Sequence, residues 1–298
     1  MATLTLSFRR LPAPFGVEVH GIDLTERLDA VAFAQIEAAF NEHSVLVFHE
    51  QFLTDEQQIA FSERFGPLEQ TIRGIASEEV FAPEIAHLAN VDGRGQMIAP
   101  DDKRMIYHSG NQLWHTDSSF KRVPALASLL SGREVPPVGG ETEFASMRVA
   151  YELLSPEMKT TIEGRVAEHS FTYSRGLVAP GLVSDEDAEQ VPPVPQALVR
   201  TNPANGRKNF YVASHASRIY GMAVEDGRAL LRELTELATQ THLVYRHVWR
   251  AGDLVMWDNR CMLHRGRPWD GHAYRRVMHR TTVAGDGPTA DVPEVARG

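Results

Sequence analysis

The chain has 298 residues, with 39 acidic against 30 basic side chains, 13 histidines, one cysteine and a formal charge of −9. That balance excludes a broad basic face for nucleic acid, and the lone Cys261 excludes an intrachain disulfide and the cysteine-rich zinc sites. Many histidines beside one cysteine tilt any metal site toward imidazole and carboxylate ligands. The N-terminal MATLTLSFRRLPAPFG lacks the basic region and apolar core of a signal peptide, and no apolar run approaches the ~20 residues of a membrane helix. A cytoplasmic protein with no membrane partner is expected.

In chain order, Val31, Phe33, Ile36, Ala39 and Phe40 carry helical spacing over 29–42 and lead into an apolar strand at 45–48. Thr54 to Gln57 has the pattern of a capping box, and the helix it opens is expected to stop at Phe65-Gly66-Pro67, with Gly66 as a left-handed cap. Short strands are expected at 126–132, 142–146, 165–173, 197–201, 208–213, 243–249, 253–257 and 276–283. Ser155-Pro156 reads as a helix start, and the longest helix is expected over 224–240 with Leu230, Leu231, Leu234 and Leu237 on its apolar face. Two stretches, 67–110 and 176–196, lack regular signals and read as active-site loops. The expectation is one mainly β domain over 1–285 with flanking helices, an antiparallel barrel or jelly roll, and a flexible tail over 286–298.

The sharpest local feature is Trp114-His115-Thr116-Asp117. In an extended segment residues two apart face the same side, so His115 and Asp117 project together. His-x-Asp by itself also fits a hydrogen-bonded pair in a loop. With His264, just beyond the expected 253–257 strand, it makes two imidazoles and one carboxylate, the facial set of non-haem Fe(II) oxygenases. Gly139-Gly140-Glu141-Thr142 supplies a hydroxyl at the start of a strand. Arg275-Arg276 opens another strand that carries a cation back into the barrel. A buried guanidinium needs a partner, which a bound dicarboxylate would supply.

At these positions the chain resembles the Fe(II)/2-oxoglutarate-dependent dioxygenases of the taurine/2,4-D dioxygenase superfamily. His115-Thr116-Asp117, the Gly-Gly-x-Thr at 139–142, Trp257-Asp258-Asn259-Arg260, His264 and Arg276 carry the likeness, which covers about residues 10–285. Within the superfamily the stretches 44–48, 57–61, 111–115, 198–201, 206–208 and 252–257 are similar to the phenoxyalkanoate dioxygenases. The resemblance implies a distorted double-stranded β-helix, with His115, Asp117 and His264 binding iron. It further implies that Arg276 and Thr142 hold 2-oxoglutarate, and that Arg280 holds the acidic group of the prime substrate, where a surface salt bridge is the alternative. Asn111 is a candidate substrate contact or a loop residue. The implied reaction uses O2, with ascorbate as an aid in vitro. It hydroxylates a small organic acid, a phenoxyacetate or phenoxypropionate, beside the ether oxygen, giving a phenol and a 2-oxo acid with succinate and CO2. A taurine or alkyl-sulfate dioxygenase is the rival within the class; a cupin-like metal-binding protein without O2 chemistry is the rival outside it. A homo-oligomer is also expected from the family.

Other positions are assigned plainer roles. Arg73 and the pair Lys121-Arg122 read as solvated, His215 as a satisfied core histidine or one backing the pocket, Trp114 and Trp257 as packing, and Cys261 as a small buried hydrophobe.

Overall fold

The computed structural model describes residues 6–70 and 82–293, and Arg73 lies outside them. The strands are β1 (Ser7–Arg10), β2 (Val17–His20), β3 (Val45–Phe48), β4 (Ala86–Ala89), β5 (Ala127–Glu134), β6 (Thr142–Ser146), β7 (Val166–His169) and β8 (Val194–Ala197). They continue as β9 (Val199–Thr201), β10 (Lys208–Phe210), β11 (Ala216–Ile219), β12 (Val244–His247), β13 (Leu254–Asp258), β14 (Met262–Gly266) and β15 (Val277–Val283). The helices are α1 (Ala30–His43), α2 (Asp55–Ser62), α3 (Lys103–Ser109), α4 (Met147–Leu153), α5 (Pro156–Ile162), α6 (Phe171–Gly176), α7 (Asp185–Gln190) and α8 (Val224–Ala238). None of the described helices is long and apolar enough to cross a membrane.

The helix ends follow local chemistry. Asp29 caps α1 by accepting from Ala32 N at 2.7 Å, and the face Ala32, Ile36, Ala39 and Phe40 is buried. Thr54 and Gln57 form the expected reciprocal capping box on α2. Ser155 caps α5 with Pro156 in its first turn, and α8 buries Leu230, Leu231 and Leu234. Gly66 departs from expectation. A 3-10 turn, Glu63–Phe65, extends α2, and Gly66 then has φ 144° and ψ −178°, a positive-φ extended conformation rather than a left-handed cap.

A sheet of seven strands runs in the order β1-β2-β3-β13-β5-β15-β4, and β12-β6-β14 forms a second sheet. Val45, Val47, Leu130, Val255, Trp257 and Met278 of the first sheet share one buried cluster with Phe144, Tyr245 and Met262 of the second. Sheet-on-sheet packing of this kind buries apolar surface between the two sheets and fixes the strands that carry the site.

Where the sequence reads as loop or uniform strand, the structure is more segmented. The stretch 67–110 contains β4, held by antiparallel pairing to β15, and α3, capped by Asp102. The expected strand 165–173 ends at His169, because Ser170 caps α6 by accepting from Tyr173 N at 3.1 Å. Asp185-Glu186-Asp187 is the first turn of α7, capped by Ser184, where acidic residues suit the helix dipole. The 197–201 strand is split between β8 and β9. After β15, Thr289 Oγ1 accepts from Ala197 N at 3.0 Å, and Arg122 pairs with Asp291.

Candidate active site

His115 and His264 come together through backbone pairing. They form an isolated antiparallel bridge in which His115 N donates to His264 O at 3.0 Å and His264 N donates to His115 O at 2.8 Å. Their ring centroids lie 4.1 Å apart. The His115 Nδ1 stands 2.8 Å from Leu113 O; that contact fixes the proton on Nδ1 and leaves Nε2 free to bind an ion. His264 Nδ1 has no protein partner among the described residues, and its ring is held instead against Trp257 and Phe144. Burial holds both imidazoles below their usual range, so each is neutral and can offer a lone pair.

Asp117 is the third corner. One donor atom from each of His115, Asp117 and His264 lies within 4.8 Å of the others, and His264 Nε2 is 3.7 Å from Asp117 Oδ2. Ser128 Oγ donates to Asp117 Oδ2 at 2.7 Å, and Arg280 donates to Oδ1 at 2.6 Å. Burial alone would raise this carboxyl. The Arg280 guanidinium, foremost, and the Ser128 bond work against that effect, and the carboxyl is held far below the usual carboxylate range. Asn259 organises the surroundings: its Oδ1 accepts from Trp257 Nε1 at 2.9 Å and Asp117 N at 3.2 Å, and its Nδ2 donates to Ser128 Oγ at 2.9 Å. Thr116 Oγ1 donates to Asn259 O at 2.7 Å. Trp257, read from sequence as packing alone, is thus also a donor in this network.

Two chambers meet at this trio. The inner one is lined by His115, His264, Thr142, Trp257, Trp269, Arg276 and Arg280. Arg276, directly before β15, is buried and forms no ion pair among the described residues. Its Nε donates to Gly140 O at 3.2 Å, its guanidinium lies 5.2 Å from the Trp269 ring centre, and burial pushes it down to about 10. Gly140 has φ 71°, and a Cβ there would sit 3.1 Å from Arg276 Nε and 2.9 Å from Pro136 Cγ, so Gly140 makes room for this arginine. Thr142, opposite Gly266 of β14 and His247 of β12, accepts at Oγ1 from Trp249 Nε1 at 2.9 Å. With one lone pair taken, its hydroxyl proton is directed toward an acceptor in the chamber.

The outer chamber is lined by His115, Asp117, Arg280, Arg175, Lys121 and Phe171 among others. Asn111, in a 3-10 turn after α3, borders both chambers, as does His108. His215 also lines the outer chamber. It is buried, with its ring stacked 4.9 Å from Phe120, and its Nδ1 has no partner among the described residues. Of the alternatives the sequence leaves open for His215, the pocket-side one holds and the satisfied core one does not. Lys121 is not simply solvated either: its Nζ donates to Glu69 at 2.6 Å beside the chamber. Cys261 is buried as expected, and burial pushes its thiol up to about 12. Sequence reasoning missed Ser128, Trp249 and Arg175, and gave Asn259 no role beyond membership of a motif. Ser128 had one visible signal, a hydroxyl in a mostly apolar stretch, and shared it with Ser131.

The comparisons with known proteins agree with this geometry. The family described as "Taurine catabolism dioxygenase TauD, TfdA family" matches residues 7–282. The chain is 44% identical over 272 residues to an alpha-ketoglutarate-dependent 2,4-dichlorophenoxyacetate dioxygenase from Cupriavidus pinatubonensis, covering 90% of this chain and 94% of that protein. It is 38% identical to an (S)-phenoxypropionate/alpha-ketoglutarate-dioxygenase from Sphingobium herbicidovorans, covering 93% and 94% of the two. The crystal structure of AAD-2 in complex with Mn(II) and N-oxalylglycine superposes with a TM-score of 0.89 at 44% identity, covering 97% of this chain and 100% of that one.

Proposed function

The chain belongs to the taurine-catabolism dioxygenase family of TauD and TfdA and is an Fe(II)/2-oxoglutarate-dependent dioxygenase; from that premise we propose that it hydroxylates a phenoxyacetate or phenoxypropionate at the carbon beside the ether oxygen. The observation that carries this reading is the placing of the His115, Asp117 and His264 trio between two chambers, each with its own buried arginine. His115, Asp117 and His264 hold the iron. When bound, iron and 2-oxoglutarate supply the oxidising chemistry, consuming O2 and giving succinate and CO2 alongside the hydroxylated product.

The protein's part is position and charge. In the inner chamber Arg276 and the Thr142 hydroxyl take the far carboxylate of 2-oxoglutarate, a charge-assisted pairing that relieves a guanidinium with no protein counter-charge. In the outer chamber Phe120, Phe171, Tyr107 and Leu88 offer apolar surface to an aryl ring. Asp117, once it serves as a ligand, no longer needs Arg280 as its counter-charge, which leaves that guanidinium for the acid group of the substrate. Asn111 borders the same space. Hydroxylation beside an ether oxygen gives a hemiacetal, which collapses to a phenol and a 2-oxo acid.

The packing of β12-β6-β14 against the larger sheet supports reading the fold as a distorted double-stranded β-helix. The family resemblance supports a cytoplasmic homo-oligomer. Aerobic incubation with Fe(II), 2-oxoglutarate, ascorbate and phenoxyacetate is expected to release succinate and phenol in equal amounts. Succinate formation only with taurine or an alkyl sulfate would overturn the substrate class.

A further inference from the structure

The outer chamber is lined by three cations, Lys121, Arg175 and Arg280, and three carboxylates, Glu69, Glu84 and Asp117, yet only two of the cations have a carboxylate partner at close range among the described residues. Arg280 pairs with Asp117 at 2.6 Å, a carboxylate that releases it on serving as a ligand, and Lys121 pairs with Glu69 at 2.6 Å. Arg175 lines the same chamber and is only 8% exposed, yet no carboxylate of the described residues pairs with it. Its one hydrogen bond is a long one, NH1 to Tyr107 O at 3.4 Å, and its Nε is buried without a partner. The guanidinium lies 4.5 Å from the centre of the Tyr107 ring and 5.1 Å from that of Phe171, two rings that also border the chamber. Gly110 lets it sit there: a Cβ at that position would fall 1.6 Å from Arg175 NH1.

We propose that Arg175 is a specificity-determining residue, the second arm of an anion clamp with Arg280 that selects prime substrates carrying a carboxylate. A buried guanidinium without a counter-charge is costly, and an incoming carboxylate is the partner that removes the cost. Burial pushes this guanidinium down, with Tyr107 opposing and Arg280 adding to the effect. Tyr107 and Phe171 flank it, so the aryl ring of an aryloxy acid meets apolar surface while its carboxylate meets charge. The geometry thus measures a substrate at two points, ring and acid.

The inference rests on the aryloxy-acid reading above, and the test separates the two. Phenoxyacetate, phenoxyacetamide, an alkyl sulfate and the parent alcohol are each titrated calorimetrically, without oxygen, into the Fe(II)- and 2-oxoglutarate-loaded enzyme. In Arg175→Gln the dissociation constant for phenoxyacetate is expected to rise about 10- to 100-fold, the scale of a lost charged hydrogen bond, with the amide changed less than about threefold. Arg175→Lys is expected to keep most of the preference for acid over amide. Gly110→Ala, which displaces the guanidinium without removing it, is expected to lose part of that preference. Equal weakening of acid and amide would assign Arg175 a packing role and overturn the proposal, as would an undiminished acid preference in Arg175→Gln. If the wild type prefers the alkyl sulfate, the substrate reading fails; Arg175→Gln must then still lose the preference for sulfate over alcohol, or the clamp fails too.

Discussion

The Oδ2 and the backbone N–H of Asp117 have fixed protein partners in Ser128 and Asn259, whereas Arg276 and Arg175 face their chambers with no carboxylate of the described residues beside them. The first arrangement is complete before any small molecule arrives. The second is complete only with one. A group whose geometry must not change between turnovers is best held by the protein itself, because preorganised partners cost nothing at the moment of reaction. A group that must recognise something is best left unsatisfied, because the ligand then relieves a penalty that no neutral analogue can relieve.

Substitutions at the two kinds of position are expected to fail differently. His115→Ala removes one corner of the proposed metal centre; iron-dependent succinate formation should drop at least about 1,000-fold, or about 4 kcal/mol in transition-state terms, with metal binding lost in direct titration. Arg276→Gln leaves the centre intact and should raise the KM for 2-oxoglutarate about 100-fold. Iron affinity that fell as well would show that the two arrangements are not separate. Asn259→Ala loosens Asp117, Ser128 and Trp257 together, and metal affinity should fall about tenfold, the lower end for partners that orient ligands. The gentlest change is Trp249→Phe, which frees the Thr142 hydroxyl to turn away; 2-oxoglutarate affinity should fall about threefold, the worth of one ordinary hydrogen bond.

The same contrast explains what was legible in the sequence. His115 and Asp117 stand two apart in one extended segment, so their convergence is a local property of the chain. Thr142 opens a strand, and Arg276 sits directly before one, where alternation places the side chain. Gly139-Gly140 was visible as a motif, but the reason for it, the approach of Arg276 Nε, lies 136 residues away. Asn259 reaches Ser128 across 131 residues, and no periodicity encodes a bond of that kind. Ala86–Ala89 has little intrinsic strand preference and is a strand only because β15 offers it an edge. Arg175 was hidden for a related reason: Ser170 turns an expected strand into α6, and that turn carries the guanidinium over the chamber.

The separateness of the two chambers is the claim on which the rest depends, and a paired titration tests it directly. Anaerobic Fe(II) enzyme is titrated with 2-oxoglutarate and then, at saturation, with phenoxyacetate, for the wild type, Arg276→Gln and Arg175→Gln. The result predicted is a crossed pattern, in which Arg276→Gln weakens 2-oxoglutarate and leaves phenoxyacetate within about twofold, while Arg175→Gln does the reverse. Both variants weakening both ligands alike would contradict the account.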